Sequence, residues 1–393
     1  MLSLAGGVAH AQAATAIRQL SGKTISVAAA DSLSRRVLAE HNVTGAQLAV
    51  VNDGTLVWSA AYGLRGNDPD LPMERTTATW AASITKGVFG AYVMSLVERR
   101  KFDLDLPVVK QLPKPLREYD EYKDKAKMLD DDTAWRRVTP RMLLAHTSGL
   151  LNFAFLEPDG QMRLHGIPGK EFRYSGEGMN VVQFVIEQRL GRGLDSLMHH
   201  AIFAPLGMTH TAMKFRAEFG ENIADRFGAN GQFLAKTRRS PPRAAGSMTS
   251  TAEDLARFAI ALMDGRIISK ASRAEMLRPA IEIRSLHQFA VRENEGEGEE
   301  AKRLGLAYGM GWGLLTKTRF GPAFFKEGHG DGSQNYMICF QRSRSCMVLL
   351  TNSDNGELAF RALLEGILGN TETPWEWEGY TPSLIMERRA RGG

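Results

Sequence analysis

Two side chains with clear chemical potential stand three residues apart in Trp80-Ala81-Ala82-Ser83-Ile84-Thr85-Lys86-Gly87, which runs into the apolar segment Val88 to Val97. If this stretch is a helix, Ser83 and Lys86 share one face at its N-terminal end, and hydroxyl and amine can meet. A serine hydroxyl is a weak nucleophile until a base takes its proton, and a helix N-terminus favours the anion that forms. About one Ser-x-x-Lys match is expected by chance in a chain of this size, so the pair acquires meaning only from what accompanies it.

Three further stretches can accompany it. Pro168 to Gly176 leads Tyr174 into a helix, and a tyrosine beside a lysine ammonium can have a lowered pKa and act as base and then acid; the competing reading is a ring that only packs. Lys326-Glu327-Gly328-His329-Gly330-Asp331-Gly332-Ser333 precedes a strand. Its glycines let backbone N–H groups approach a substrate oxygen, with His329 adding charge or a hydrogen bond, although a Gly-rich run before a strand is often just a turn. His146, in Leu143 to Leu150, reads as a structural, hydrogen-bonded histidine rather than a ligand or base.

The elements that must position these residues follow from pattern. Asp31 to His41 is an amphipathic helix, and Ala46 to Tyr62 a hairpin closed by Asp53-Gly54. The Ser83 helix ends near Arg99-Arg100-Lys101, and Glu118 to Asp132 reads as a surface excursion. Thr139 caps a short helix with Pro140 at its first position. Helices are expected over Gly178 to Arg189, Leu194 to Phe203 and Thr251 to Met263, the last opening on the capping pattern Ser250-x-x-Glu253. Glu293 to Lys302 reads as an exposed loop. Tyr308 to Leu315, Tyr336 to Phe340 and Cys346 to Thr351 are strand-like, and Leu358 to Leu368 is a closing helix. An early hairpin, a helical middle and late strands predict a mixed α/β (α+β) fold: one antiparallel sheet built from both ends of the chain and flanked by helices, plus an all-helical lobe. The expected division is 1–25 as a signal remnant or flexible N-terminus, 26–370 as one catalytic unit (α/β lobe about 26–80 and 240–370, helical lobe about 81–239), and 371–393 as a tail.

Composition narrows the function. At 393 residues, 43% hydrophobic and 24% charged, the chain can bury a large core, and no apolar run reaches the eighteen or so residues of a membrane-spanning helix. The net charge of +5 is scattered among acids, with one dense cluster at Arg388-Arg389-Ala390-Arg391, which speaks for a solvated basic surface and against nucleic-acid binding. Leu2 to Ala13 is small and apolar and holds an Ala-x-Ala-like site without a preceding basic residue, which reads as a truncated signal peptide and points to export. Cys339 and Cys346 fall opposite one another across a turn near Arg342-Ser343, either bridged or free. No Cys/His spacing suits a metal, and no cofactor is indicated.

Taken in order, Ala82 to Lys86, Leu143 to Leu150, Phe172 to Gly176, Pro205-Leu206-Gly207-Met208, Ala244 to Phe258, Tyr308 to Trp312, Gly328 to Gly332 and Thr351-Asn352-Ser353 resemble the serine β-lactamase and penicillin-binding-protein superfamily, in its class C β-lactamase, esterase and D-aminopeptidase branch. The resemblance spans roughly residues 30 to 370 and implies a β-lactamase/transpeptidase-like fold with its site between the two lobes. It implies Ser83 as acylated nucleophile, Lys86 as its partner and Tyr174 as proton shuttle. The oxyanion would be held by the N–H groups of Ser83 and of the turn near Gly332, and His329-Gly330-Asp331 would stand where β-lactamases carry Lys-Thr-Gly. Gly176 replaces the amide of Tyr-x-Asn. The acylation residues are retained and the β-lactam-reading ones are not, so a small-molecule ester is the expected substrate. A class C-like β-lactamase or a D-amino-acid amidase or DD-peptidase is the alternative, and a catalytically silent binding protein the reading from another class.

Overall fold

The computed structural model describes residues 15–68, 70–289 and 296–390; the signal-like Leu2 to Ala13, Arg391 and residues 293–295 lie outside them. Helix α1 (Val27–Glu40) starts four residues before the expected Asp31, because Ser26 caps it by accepting the Ala29 amide at 3.1 Å. A hairpin follows, β1 (Gly45–Asn52) and β2 (Thr55–Asn67), then the short β3 (Asp70–Pro72). Helix α2 (Ile84–Glu98) is buried on every side from Ile84 to Leu96, as expected of a helix with no polar stripe. Next come α3 (Gly176–Leu190) and α4 (Ala252–Met263). The strands β4 (Ile281–Glu282), β5 (Leu306–Tyr308), β6 (Gly313–Leu315), β7 (Ala323–Gly330), β8 (Ser333–Phe340) and β9 (Ser345–Thr351) precede helices α5 (Gly356–Ile367) and α6 (Pro382–Ala390).

These strands make one antiparallel sheet in the order β4-β5-β6-β7-β8-β9-β1-β2-β3, with Cys346 opposite Val51 and Thr351 opposite Ala46 where the two ends of the chain join. Side-chain alternation divides it into two buried faces. Phe324, Met337, Val348 and Leu350 pack on α2 and the helical middle of the chain. Phe325, Ile338, Met347 and Leu349 pack with α1, α5 and the C-terminal aromatics.

Several local expectations are corrected. Thr251, not Ser250, caps α4, taking the Asp254 amide at 3.1 Å. Residues 118–132 do run over the surface, but anchored rather than free: Tyr122, Ala126 and Leu129 are buried and Tyr122 packs on Phe184. Tyr308 to Leu315 is two strands, broken at Gly309 to Trp312, whose indole fills the space beside Gly87 of α2. Of the expected 293–302 loop, Glu299 to Lys302 belongs to a short helix, Glu299–Leu304, that buries Ala301 and Leu304. The Gly-rich run after Lys326 is mostly strand, with only Asp331 and Gly332 in the turn. Cys339 and Cys346 are opposite one another in β8 and β9, 4.1 Å apart at Cα, and bonded. Beyond residue 370 the chain packs back on the sheet: Trp375, Trp377 and Tyr380 are buried, and Arg388 and Arg389 reach the buried Glu357. The basic cluster is therefore engaged rather than solvated at those two residues.

Candidate active site

A cavity of about 780 Å³ opens between the free end of β7, the N-terminus of α2 and the helical lobe, lined by Ser83, Lys86, Tyr174, Glu327 and His329 among others. Ser83 is the N-cap of α2, so the helix dipole points at its hydroxyl. Ala82 before it has φ +44°, a left-handed conformation that a residue with a Cβ adopts at a cost, and it turns the chain sharply from the Thr79–Trp80 strand into the helix.

Lys86 is 1% exposed, and its Nζ lies 2.8 Å from Ser83 Oγ and 2.5 Å from the Ala245 carbonyl. Burial, reinforced by the nearby Lys326 charge, holds its pKa well below that of an ordinary lysine. A neutral amine can donate to Ala245 O and accept the Ser83 proton, which is the arrangement a nucleophile needs from its base.

Tyr174 sits where Arg173 N–H donates to His146 O and Ser175 Oγ caps α3. Its ring centroid is 4.9 Å from Lys86 Nζ and 4.8 Å from Lys326 Nζ. The expected lowering of its pKa is reversed: burial pushes the phenol well above its usual value, with Glu327 adding to the shift. Its hydroxyl makes no hydrogen bond of good geometry, yet the Ser83 hydroxyl is near enough to favour the phenolate slightly. Both shifts favour the uncharged form, of the lysine as of the tyrosine. His146 is buried with Nδ1 accepting the Ser175 amide at 3.1 Å and its ring 4.4 Å from that of Tyr174. Burial holds it neutral, beside the tyrosine rather than on the nucleophile.

Strand β7 supplies the other wall, three residues out of step with the expectation. Lys326, not His329, faces Lys86 and Tyr174, and Gly328 is the glycine of close approach: a methyl built there would be 2.3 Å from the Ala81 carbonyl oxygen. The lysine-x-glycine of this wall is thus Lys326-Glu327-Gly328. Lys326 pairs with Glu327, which also accepts from Gln288 at 2.9 Å. His329 lines the cavity with its side chain 45% exposed and Nδ1 3.7 Å from Glu357. Burial by the surrounding walls and the Arg388 charge hold it below the ordinary imidazole range.

Gly330, Asp331 and Gly332 do not line the cavity. The Gly332 amide is already donated to Asp354 Oδ1 at 2.6 Å, which removes it as an oxyanion donor. Gly176 lies against Asn152 and Phe153; a Cβ there would be 2.8 Å from the Phe153 ring. Asn152 Oδ1 accepts the Gly176 amide at 2.8 Å, which leaves its NH2 end free to face a ligand, and Asn180 and Gln288 are the other side-chain amides of the cavity lining. Sequence reasoning did not single out Asn152, Asn180, Glu327 or the wall formed by Glu378, Tyr380 and Arg388. The Lys-x-Gly spacing of 326–328 was the one signal available for any of them.

The esterase EstB of Burkholderia gladioli is 27% identical to this chain over 204 residues, 45% of this chain and 49% of that protein; the chain spans about half the length of the curated relatives it matches. The octameric penicillin-binding protein homologue from Pyrococcus abyssi superposes with a TM-score of 0.69 at 20% identity, covering 93% of this chain and 81% of that one. A class C beta-lactamase superposes with a TM-score of 0.67 at 17% identity, covering 88% and 97%. These likenesses establish the fold, a mixed α/β structure around a large antiparallel sheet. With the Beta-lactamase family model matching residues 30–368, the chain belongs to the Beta-lactamase family.

Proposed function

We propose that this protein is a serine acyl hydrolase of the carboxylesterase type. The observation that carries the reading is the Ser83–Lys86 pair, in which a buried amine, its charged form disfavoured by burial, touches a hydroxyl at a helix N-terminus. Ser83 Oγ attacks the acyl carbon and Lys86 takes its proton. Tyr174, protonated and beside both groups, passes a proton to the leaving alkoxide; water then releases the acyl group by the same route in reverse.

The oxyanion is held by the Ser83 N–H and by that of His329. The support for the second donor is hairpin register: Gly330 and Ser333 close a two-residue turn, so hydrogen-bonded pairs alternate and the His329 backbone groups turn away from β8. On that side β6 pairs only with Ala323–Phe325, so the strand edge from Lys326 to Gly330 has no neighbouring strand.

Ester preference over β-lactam follows from Glu327, which consumes the Lys326 charge where an anionic substrate group would otherwise meet a cation. An amide substrate is the second reading, favoured by Asn152 and Asn180 in the lining. The bonded Cys339–Cys346 pair supports export to an oxidising compartment.

The test is hydrolysis of p-nitrophenyl butyrate and labelling by a fluorophosphonate read by intact mass. Wild type turns over the ester and gains one adduct, and Ser83→Ala does neither. Unchanged turnover in Ser83→Ala sinks the assignment. Higher kcat/KM on nitrocefin than on the ester overturns the substrate preference.

A further inference from the structure

The cations lining the cavity are nearly all matched. Arg243 pairs with Glu121 at 2.6 Å, Lys125 with Glu177 at 2.5 Å and Arg388 with Glu357, and Lys326, buried behind the lining, pairs with Glu327. Lys86 is held by Ser83 and Ala245. Arg239 is different. Its guanidinium has no ion pair and no hydrogen bond to any described residue, and its Nε is buried without a partner. A buried donor left unpaired costs free energy that a ligand can return.

What holds Arg239 in place is a ring rather than an acid. Its Cζ lies 4.1 Å from the centroid of Trp80, whose own Nε1 donates to Gly246 O at 2.6 Å. The indole is therefore fixed, and the guanidinium lies over its face while Arg239 lines the cavity. Arg226 approaches the same ring at 5.2 Å but spends a donor on the Asp331 carbonyl at 2.9 Å. Two guanidiniums on one indole raise the local positive potential, and burial makes Arg239 easier to deprotonate than an ordinary arginine; an anion relieves both. Trp80 is three residues before the nucleophile and in the same wall. Phe153 and Phe155, stacked at 5.3 Å, add an apolar patch to the same lining.

We propose that Arg239, stacked on Trp80, is the anion-recognition residue of this site, and that the favoured substrate is an ester carrying a carboxylate away from the scissile carbonyl. This inference rests on the proposed esterase reading. It relocates anion recognition from Lys326, neutralised by Glu327, to a loop before the Thr249–Ser250 strand. A carboxylate can accept two parallel N–H bonds from the fixed guanidinium plane, which a lysine at the same place cannot offer.

The test compares matched esters with and without the carboxylate on each side of the scissile bond: mono-p-nitrophenyl adipate against p-nitrophenyl hexanoate, and 4-butyryloxybenzoate against phenyl butyrate. In wild type one of the two acids is preferred at least tenfold in kcat/KM over its neutral partner. Arg239→Ala reduces that ratio by tenfold or more, and Arg239→Lys restores part of it. No preference in either pair, or a ratio that Arg239→Ala leaves unmoved, overturns the inference. Should wild type hydrolyse none of the four, the esterase reading fails, and calorimetric binding to Ser83→Ala decides this one. Tenfold tighter binding of an acid than of its neutral partner, lost in Ser83→Ala/Arg239→Ala, supports it; equal affinities overturn it.

Discussion

Gly328→Ala tests whether the distance between β7 and the nucleophile, rather than the identity of any reacting group, limits the rate. The added methyl would sit 2.3 Å from the Ala81 carbonyl oxygen and 3.2 Å from the Asn335 amide. An ordinary contact is about 3.4 Å, so strand and turn must part by about 1 Å, because backbone cannot rotate away as a side chain can. That parting moves the Lys326–Gly330 edge away from Ser83 while leaving Ser83, Lys86 and Tyr174 intact. A 1 Å misplacement of positioning groups costs about 10²-fold in rate, or about 2.7 kcal/mol of barrier. The assay is steady-state hydrolysis of p-nitrophenyl butyrate with thermal unfolding alongside. The expected result is a kcat lower by about two orders of magnitude with fluorophosphonate labelling of Ser83 slowed but still complete. A kcat within threefold of wild type at unchanged Tm would falsify the claim that this close approach sets the geometry of the site.

The remaining predictions concern charge and covalent structure. Lys86 works as a base with a depressed pKa, so it is protonated and idle below that pKa and competent above it; kcat/KM for a neutral ester should rise with pH on a limb well below 10.5 and then stay level, whereas a midpoint near 10.5 would mean a lysine of ordinary basicity. Removing both arginine partners of the buried Glu357 by Arg388→Ala/Arg389→Ala leaves a carboxylate that burial already disfavours with only His329 near it, and should cost about 2 kcal/mol, seen as a lowered Tm; an unchanged Tm would show the pairs contribute nothing. Cys339→Ala/Cys346→Ala opens a loop of eight residues and should cost about 2–3 kcal/mol in chemical denaturation of the oxidised protein, with catalysis retained because the bridge lies at the end of β8 opposite the Gly330–Ser333 hairpin; equal denaturation midpoints for the two proteins would contradict a bridge.

What could be read in the chain before its coordinates was whatever periodicity and caps encode. The Ser83 helix, the Asp-Gly hairpin and the sheet made from both ends all rest on such local signals. Which side chains of a Gly-rich strand face the nucleophile is decided by register, and a shift in assigning Lys326 to Gly332 exchanged Lys326 for His329. Tyr174 has lysines beside it, as sequence suggested, yet its ionisation follows from burial, which no spacing encodes. Arg239 belongs to no motif: it matters because Trp80 lies under it and no acid lies opposite, both consequences of packing. Trp375, Trp377 and Tyr380 have neither helical nor strand period, so a segment that walls the cavity read as a tail.

The joining of β1 to β9 also has a consequence for biosynthesis. The hairpin ending at Asn67 is made first and must wait for Ser345–Thr351 before its open edge is paired. At roughly 5–20 residues per second, the intervening 280 or so residues take about 15–60 s to emerge from a ribosome. During that interval the β1 edge of the hairpin stays open, while the helical middle can already pack by short-range contacts. The nascent chain thus carries an unpaired sheet edge through most of its synthesis, a period in which a holdase has something to bind and a second nascent chain something to pair with.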